Sequence, residues 1–96
     1  MKVEISSQVL AFVRALAPDP RRQVRAALRR LGTGRGDVRA LEGELAGFHR
    51  LRIARYRVIF HYVARPGGTT IRCEFAEERS IVYQLYAEMA RHLQVR

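Results

Sequence analysis

Residues 48–60, FHRLRIARYRVIF, predict two β-strands that are joined by a tight turn at Ala54-Arg55. Successive side chains of a strand point to opposite faces, and residues directly opposite each other in an antiparallel pair share a face. A two-residue turn sets the following cross-strand pairs: Ile53 with Tyr56, Arg52 with Arg57, Leu51 with Val58, and Arg50 with Ile59.

The predicted hairpin has one apolar face and one basic face. The apolar face carries Leu51, Ile53, Tyr56, Val58 and Phe60, and the opposite face carries Arg50, Arg52 and Arg57, with His61 further along. Because like charges that face each other destabilise a sheet, the arginines indicate an anionic partner. The turn itself is an unusual one, since two-residue turns need positive φ and favour Asn-Gly or Asp-Gly. A three-residue turn would instead place Arg57 on the core face.

The composition predicts one small, basic, globular domain over residues 1–96. The chain is 48% hydrophobic and 28% charged, with a net charge of +9. All its basic residues except Lys2 are arginines. Arginine binds phosphate through two parallel hydrogen bonds and stacks on bases, so nucleic acid or an acidic protein is the expected partner. A high-GC genome would explain the preference for arginine over lysine equally well, but not the net charge.

The remaining composition points to a cytoplasmic protein without a membrane association. Cys73 is the single cysteine and alternates with Ile71 and Phe75, which predicts a buried structural thiol in a reducing compartment. No apolar run is long enough for a signal peptide or a membrane span. The histidines and the cysteine lack the spacing of a metal site, so we expect neither a metal nor another cofactor.

Apolar periodicity divides the rest of the chain into helices and strands. It predicts a strand at 2–5, a helix capped by Ser6 or Ser7 that ends at Ala17, and a helix with Asp19 as N-cap and Pro20 at its first position that ends at Gly32. Residues 37–47 are predicted to be a connecting segment with little regular structure. A strand at 70–76 has Ile71, Cys73 and Phe75 pointing inward, and a helix follows from about Glu78. The apolar stripe of that helix consists of Val82, Leu85, Tyr86, Met89 and Leu93.

This order, β-α-α-β-β-β-α, predicts an α+β domain with an N-terminal helical hairpin on one face of an antiparallel-rich sheet and a C-terminal helix.

The candidate site residues are of the types that bind a phosphate group or catalyse its reactions. Arg50, Arg52 and Arg57 share one face, and Arg79 and Tyr83 lie four residues apart on the last helix. Arginines stabilise the charge of a phosphoryl transition state, and a tyrosine can stack on a base or orient a proton transfer. Arg79 could instead pair with a nearby glutamate, and Tyr83 could belong to the core.

Three segments carry a resemblance to a known family. They are Leu41-Glu42-Gly43, the stretch from Phe48 to Phe60, and Arg79-Ser80-Ile81-Val82-Tyr83. Together they resemble the RelE/ParE superfamily of toxins, the small basic partners in type II toxin–antitoxin pairs. The resemblance implies the RelE-like fold over nearly the whole chain and an acidic cognate antitoxin that folds in part on binding.

RelE-like members cleave mRNA on the ribosome without a metal: the ribose 2′-hydroxyl attacks the adjacent phosphate and leaves a 2′,3′-cyclic phosphate. On that pattern Arg57 holds the scissile phosphate, and Arg50 and Arg52 contribute positive charge. Tyr83 meets the base or orients the proton transfer, with Arg79 beside it. His61 is a further candidate for RNA binding.

The chain departs from the family pattern at one place. Ribosome-dependent members often carry a basic residue just before the position of Arg79, whereas the two residues before Arg79 in this chain are acidic, Glu77 and Glu78. The motif identifies no general base, and Glu77 and His61 are the two candidates. The alternative function is that of a ParE-like inhibitor, which binds DNA gyrase without nuclease chemistry, and an inactive member retained as a regulator is a third.

Overall fold

The computed structural model describes the backbone of residues 1–94 and the side chains of residues 1–88 and 91. The elements are β1 (Lys2–Ile5), α1 (Ser7–Ala15), α2 (Pro18–Leu31), β2 (Asp37–Ala40), a 3-10 turn (Gly43–Leu45), β3 (His49–Ile53), β4 (Tyr56–Arg65), β5 (Gly68–Glu78) and α3 (Val82–Gln94). The five strands form one sheet in the order β1-β5-β4-β3-β2, in which only the β1–β5 pair is parallel. The predicted α+β class and antiparallel-rich sheet are confirmed.

The β3–β4 hairpin has the predicted two-residue turn and register. Ile53 pairs with Tyr56 and Arg52 with Arg57, so the three-residue alternative is excluded. Ala54 adopts a φ of 53°, the left-handed conformation that a non-glycine side chain disfavours. Neighbouring groups hold the turn in place, because the Arg79 backbone N–H donates to the Arg55 carbonyl at 2.8 Å.

The larger core lies between the sheet and the α1–α2 hairpin. It includes Ile53, Val58 and Phe60 of the predicted apolar face together with Leu28 and Leu31 of α2, and Phe12 and Leu16 are partly buried at its margin. The Ser6 hydroxyl accepts a hydrogen bond from the Val9 backbone N–H and caps α1, as predicted. Two helix boundaries were predicted wrongly. α1 ends at Ala15, and α2 begins at Pro18 with Ala17 as its N-cap, which leaves Asp19 in the first turn, where a carboxylate faces the positive end of the helix dipole.

A β-bulge in β5 changes which residues face this core. Ile59 pairs with Phe75 while Phe60 pairs with Cys73, so Glu74 is an extra residue without a partner on β4. Ile71 and Cys73 point toward the helical hairpin, as predicted, but Phe75 does not. It packs on the opposite face of the sheet in a second core, whose other buried members are Leu45, Ile59, Val82 and Tyr86.

Residues 37–47 are more regular than predicted. Asp37–Ala40 forms an edge strand that pairs antiparallel with β3, and the 3-10 turn contributes Leu45 to the second core. All four residues of β2 are exposed, and the alternation of Asp37 and Arg39 with Val38 and Ala40 spans only four residues, the shortest run from which a strand is recognised in a sequence.

α3 covers the second core and begins later than predicted, at Val82 rather than near Glu78. Glu78 remains in β5, where Glu77 and Glu78 pair with the start of β4, and residues 79–81 form the turn that leads into α3. Val82 and Tyr86 are buried as predicted, whereas Leu85 is 37% exposed. The predicted stripe positions Met89 and Leu93 lie outside the described side chains. No helix within residues 1–94 is long and apolar enough to cross a membrane.

Candidate functional site

The second core divides the basic face of the sheet into two regions. Ile59, in the middle of β4, is fully buried beneath α3. Arg57 lies on the side of Ile59 that is nearer the hairpin turn, and His61 lies on the other side. The turn-side region, which we call the turn cluster, consists of Arg57, its cross-strand neighbour Glu77, and Arg79 and Tyr83 that follow β5.

Arg57 is the least exposed member of the turn cluster, at 8%. Its Nη1 donates to the carbonyl oxygens of Ala54 at 2.9 Å and Tyr56 at 2.8 Å. Nε and Nη2 make no hydrogen bond within the described residues. Neither atom is completely buried without a hydrogen-bond partner, so both can be reached by a ligand. No described carboxylate lies within ion-pairing distance of the guanidinium. The turn therefore fixes one nitrogen, while the Nε–Nη2 edge is left to bind an oxyanion.

Arg50 and Arg52 are held differently from Arg57, because both pair with Asp37 on β2. Arg50 Nη1 donates to the Asp37 carbonyl oxygen at 2.8 Å and to Oδ1 at 3.1 Å, and Arg52 Nε lies 3.3 Å from Oδ2. The hydrogen bond from Arg50, followed by the charges of Arg50 and Arg52, lowers the pKa of the Asp37 carboxyl. Arg50 is mostly buried and Arg52 is exposed. The hairpin sequence itself contains no Asp or Glu, and the partner of both arginines comes from an edge strand that was not predicted from the sequence.

Arg79 and Tyr83 flank the entry to α3 and do not form the predicted pair on one helix. Arg79 lies in the turn before the helix, and its backbone N–H binds the hairpin turn at Arg55. Its side chain is exposed, and Tyr83 is 37% exposed rather than part of the core. The structure thus brings Arg79 to the same end of the sheet as Arg57 and presents Tyr83 from the first turn of α3.

His61 lies apart from these residues. It follows Arg57 by four positions in β4, which places its Cα about 13 Å away at the rise of a strand. Its Nε2 lies 2.8 Å from Glu74 Oε2, and its ring packs on Phe48 with centroids 4.8 Å apart. Tyr86 of α3, whose ring packs on the same Phe48 with centroids 5.2 Å apart, is fully buried, and this burial raises the pKa of its hydroxyl.

Two of the residues that surround the arginines have no strong signal in the sequence. Asp37 lies in a segment for which no strand was predicted, and the position of Glu77 opposite Arg57 depends on the bulge at Glu74, which shifts the register by one residue. Cys73 is buried as predicted, and this burial raises the pKa of its thiol to about 12. Among the described residues, no three His, Cys, Asp or Glu side chains are grouped as metal ligands would be.

Comparisons with known proteins identify similar folds. No protein-family model matches the chain, and no curated protein matches its sequence. Among solved structures, it is similar to the YoeB/ParE toxin from Agrobacterium tumefaciens, with a TM-score of 0.64 and 15% identity over 82% of this chain and 99% of the other. The RelBE2 toxin–antitoxin complex from Mycobacterium tuberculosis gives a TM-score of 0.64 and 20% identity over 81% and 96%. The archaeal RelE–RelB complex from Pyrococcus horikoshii gives 0.57 and 28% over 81% and 93%. These similarities confirm the fold that the sequence predicted.

Proposed function

We propose that this chain, whose fold is that of the RelE/ParE toxins, is the toxin of a type II toxin–antitoxin module and a metal-independent endoribonuclease that cleaves mRNA on the ribosome. The observation that carries the proposal is the environment of Arg57. A guanidinium that is 8% exposed, forms no ion pair with a described carboxylate and is oriented by two carbonyl oxygens is suited to bind a phosphate. Because the turn already fixes its orientation, little conformational freedom is lost when the phosphate arrives.

The other arginines of this face would extend the contact along the RNA. Asp37 holds Arg50 and Arg52 beside the site and neutralises part of their mutual repulsion, while Arg52 still reaches solvent. Arg79, exposed at the hairpin turn, would add positive charge, and the ring of Tyr83 would stack on a base or orient a proton transfer. His61, about 13 Å from Arg57, would contact RNA beyond the scissile phosphate.

An acidic antitoxin is the proposed protein partner. The solved complexes from M. tuberculosis and P. horikoshii each contain a toxin of this fold with its antitoxin. The chain carries a net charge of +9, so an acidic partner would be attracted over long range and would neutralise the arginines it covers. We expect a short acidic antitoxin that is encoded beside this gene and folds in part on binding.

The second candidate function is inhibition of DNA gyrase by binding. The observation that favours it is Glu77, which places a carboxylate directly across the strand pair from Arg57 and so weakens the positive potential at the site. Fold alone does not choose between these functions.

Inducing the gene in growing cells distinguishes the two functions. RNA 5′ ends are mapped and DNA breaks are measured in the same culture, with Arg57→Ala as the comparison. In-frame cuts within translated codons that disappear in Arg57→Ala would support the nuclease. DNA breaks with intact mRNA would establish gyrase inhibition, and normal growth without either would reject the toxin proposal.

A further inference from the structure

Glu77 is the acidic residue that pairs with Arg57 across the sheet. It stands on β5 directly opposite Arg57 on β4, and side chains in such a pair leave the same face with their Cβ atoms about 5 Å apart. Ala76 and Glu78, its neighbours in β5, point to the other face, where Ala76 joins the larger core.

The Glu77 carboxylate is half-buried and has no cationic partner among the described residues. Its Oε1 accepts a hydrogen bond from the Glu78 backbone N–H at 3.2 Å. The other two carboxylates of β5 are paired, Glu74 with His61 at 2.8 Å and Glu78 with Arg55 at 3.8 Å. Glu77 is therefore the β5 carboxylate that has no cationic partner within the described residues, and its Oε2 is available to accept a proton from a ligand.

RNA cleavage by the 2′-hydroxyl requires a proton acceptor within hydrogen-bond reach of that hydroxyl while the phosphate is held next to it. Arg57 and Glu77 supply these two functions from adjacent strands. His61 does not fit the role, because its Nε2 is bound to Glu74 and the second core lies between it and Arg57.

We propose that Glu77 is the general base of this enzyme, an inference that rests on the proposed nuclease function. The Glu77 carboxylate takes the proton of the ribose 2′-hydroxyl as O2′ forms a bond to phosphorus, and the bond from phosphorus to O5′ breaks. The phosphate, held by Arg57, becomes a 2′,3′-cyclic phosphate. O5′ leaves with a proton from water, and protonated Glu77 returns its own proton to solvent.

The test compares Glu77→Gln with Glu78→Gln in a cleavage assay that uses purified ribosomes, each carrying a short mRNA. Both variants remove one negative charge from adjacent positions, but Glu78 points to the opposite face. We expect Glu77→Gln to cleave about 10²- to 10⁴-fold more slowly than the wild-type protein, the usual effect of removing an acid–base group. Glu78→Gln should stay within about threefold of the wild-type rate, since no catalytic group is lost. Thermal melts of both variants check that they are folded.

A rescue experiment separates a chemical role from a role in positioning. Sodium formate should accelerate Glu77→Ala at least tenfold, since a small carboxylate can enter the space left by the side chain, and should leave Arg57→Ala unchanged. Equal rates for Glu77→Gln and Glu78→Gln, or a loss in Glu77→Ala that formate does not restore, would overturn the assignment of Glu77. If the wild-type protein itself does not cleave the mRNA, the nuclease proposal fails. That result differs from the two outcomes that would overturn only the assignment of Glu77.

Discussion

Arg57 combines a structural and a proposed catalytic role in one side chain. Arg57 lies on the face opposite the predicted apolar face, and its Nη1 donates to two carbonyl oxygens at the hairpin turn. We expect Arg57→Ala to lower the free energy of unfolding by about 1–3 kcal/mol, because those carbonyls lose a charged donor in a largely buried place. It should also slow mRNA cleavage on the order of a hundredfold or more.

Two variants separate these effects. Arg57→Lys should regain most of the stability, since an ammonium can reach the turn, but only part of the activity, since it lacks the second edge of the guanidinium. Arg55→Ala removes an exposed arginine from the same turn and serves as the control. Urea unfolding gives the free energy of unfolding of each variant, and the cleavage rates are compared at equal concentrations of folded protein. Full activity in Arg57→Ala would remove this arginine from the mechanism.

Ala54 is the position at which the sequence and the backbone conflict. A φ of 53° is accessible to glycine without a steric cost, so we expect Ala54→Gly to raise the free energy of unfolding by about 0.5–1 kcal/mol. Ala11, exposed in the middle of α1, provides a control of opposite sign, because glycine there should lower stability by about the same amount. Urea unfolding of the two variants measures both changes. Destabilisation by Ala54→Gly would mean that the turn is not held in the left-handed conformation.

At the scale of elements, the register of the β3–β4 hairpin was predicted correctly, whereas the neighbouring strand β2 and the bulge in β5 were not predicted. Residues 48–60 alone contain both the alternation of apolar and polar side chains and the length of the turn. The register of the hairpin could therefore be derived without any other part of the chain. β2 could not be derived in this way, because its polar–apolar alternation is only four residues long, all four residues are exposed, and the strand pairs only with the edge of β3. The bulge at Glu74 could not be predicted either. It depends on how the residues of β5 align with those of β4, and the sequence of one strand alone does not determine that alignment. For that reason the sequence supplied the arginines of the site but not the position of the carboxylates around them.

Asp37 connects the edge strand to the arginine face, and its contribution should depend on pH. Its pKa in the folded protein is lowered by the hydrogen bond from Arg50, so the ionised form favours folding. This stabilisation is complete above the ordinary pKa of an aspartate, about 3.9, and is lost as the pH falls through the lower value of the folded state. We therefore expect Asp37→Asn to melt at a lower temperature than the wild-type protein at pH 6, and the difference to shrink steadily below about pH 4.

Glu42→Gln is the control for this titration, because Glu42 is exposed and forms no ion pair within the described residues. Its melting temperature should follow the wild-type value over the whole range from pH 6 to pH 2. A difference between Asp37→Asn and the wild-type protein that stays constant down to pH 2 would show that hydrogen bonding by the side chain, and not its charge, holds β2.

At the scale of the whole molecule, charge should govern how fast the antitoxin is captured. The net charge is +9, and α2 presents a row of exposed arginines on the far side of the sheet from the turn cluster. Arg25, Arg29 and Arg30 of this row make no ion pair with any described carboxylate. Such a field accelerates the encounter with an acidic chain, and salt screens it. The rate of dissociation depends mainly on the contacts made after docking and should respond much less.

We therefore expect the association rate constant with the cognate antitoxin, measured by stopped-flow fluorescence, to fall at least about tenfold between roughly 50 and 500 mM salt. Replacing Arg25, Arg29 and Arg30 by glutamine lowers the net charge from +9 to +6 (9 − 3) and should flatten this dependence. Lysine at the same three positions keeps the charge and should restore it. If the lysine variant behaved like the glutamine variant, specific guanidinium contacts would be responsible. An association rate that salt leaves unchanged would instead mean that apolar contacts govern the capture of this toxin.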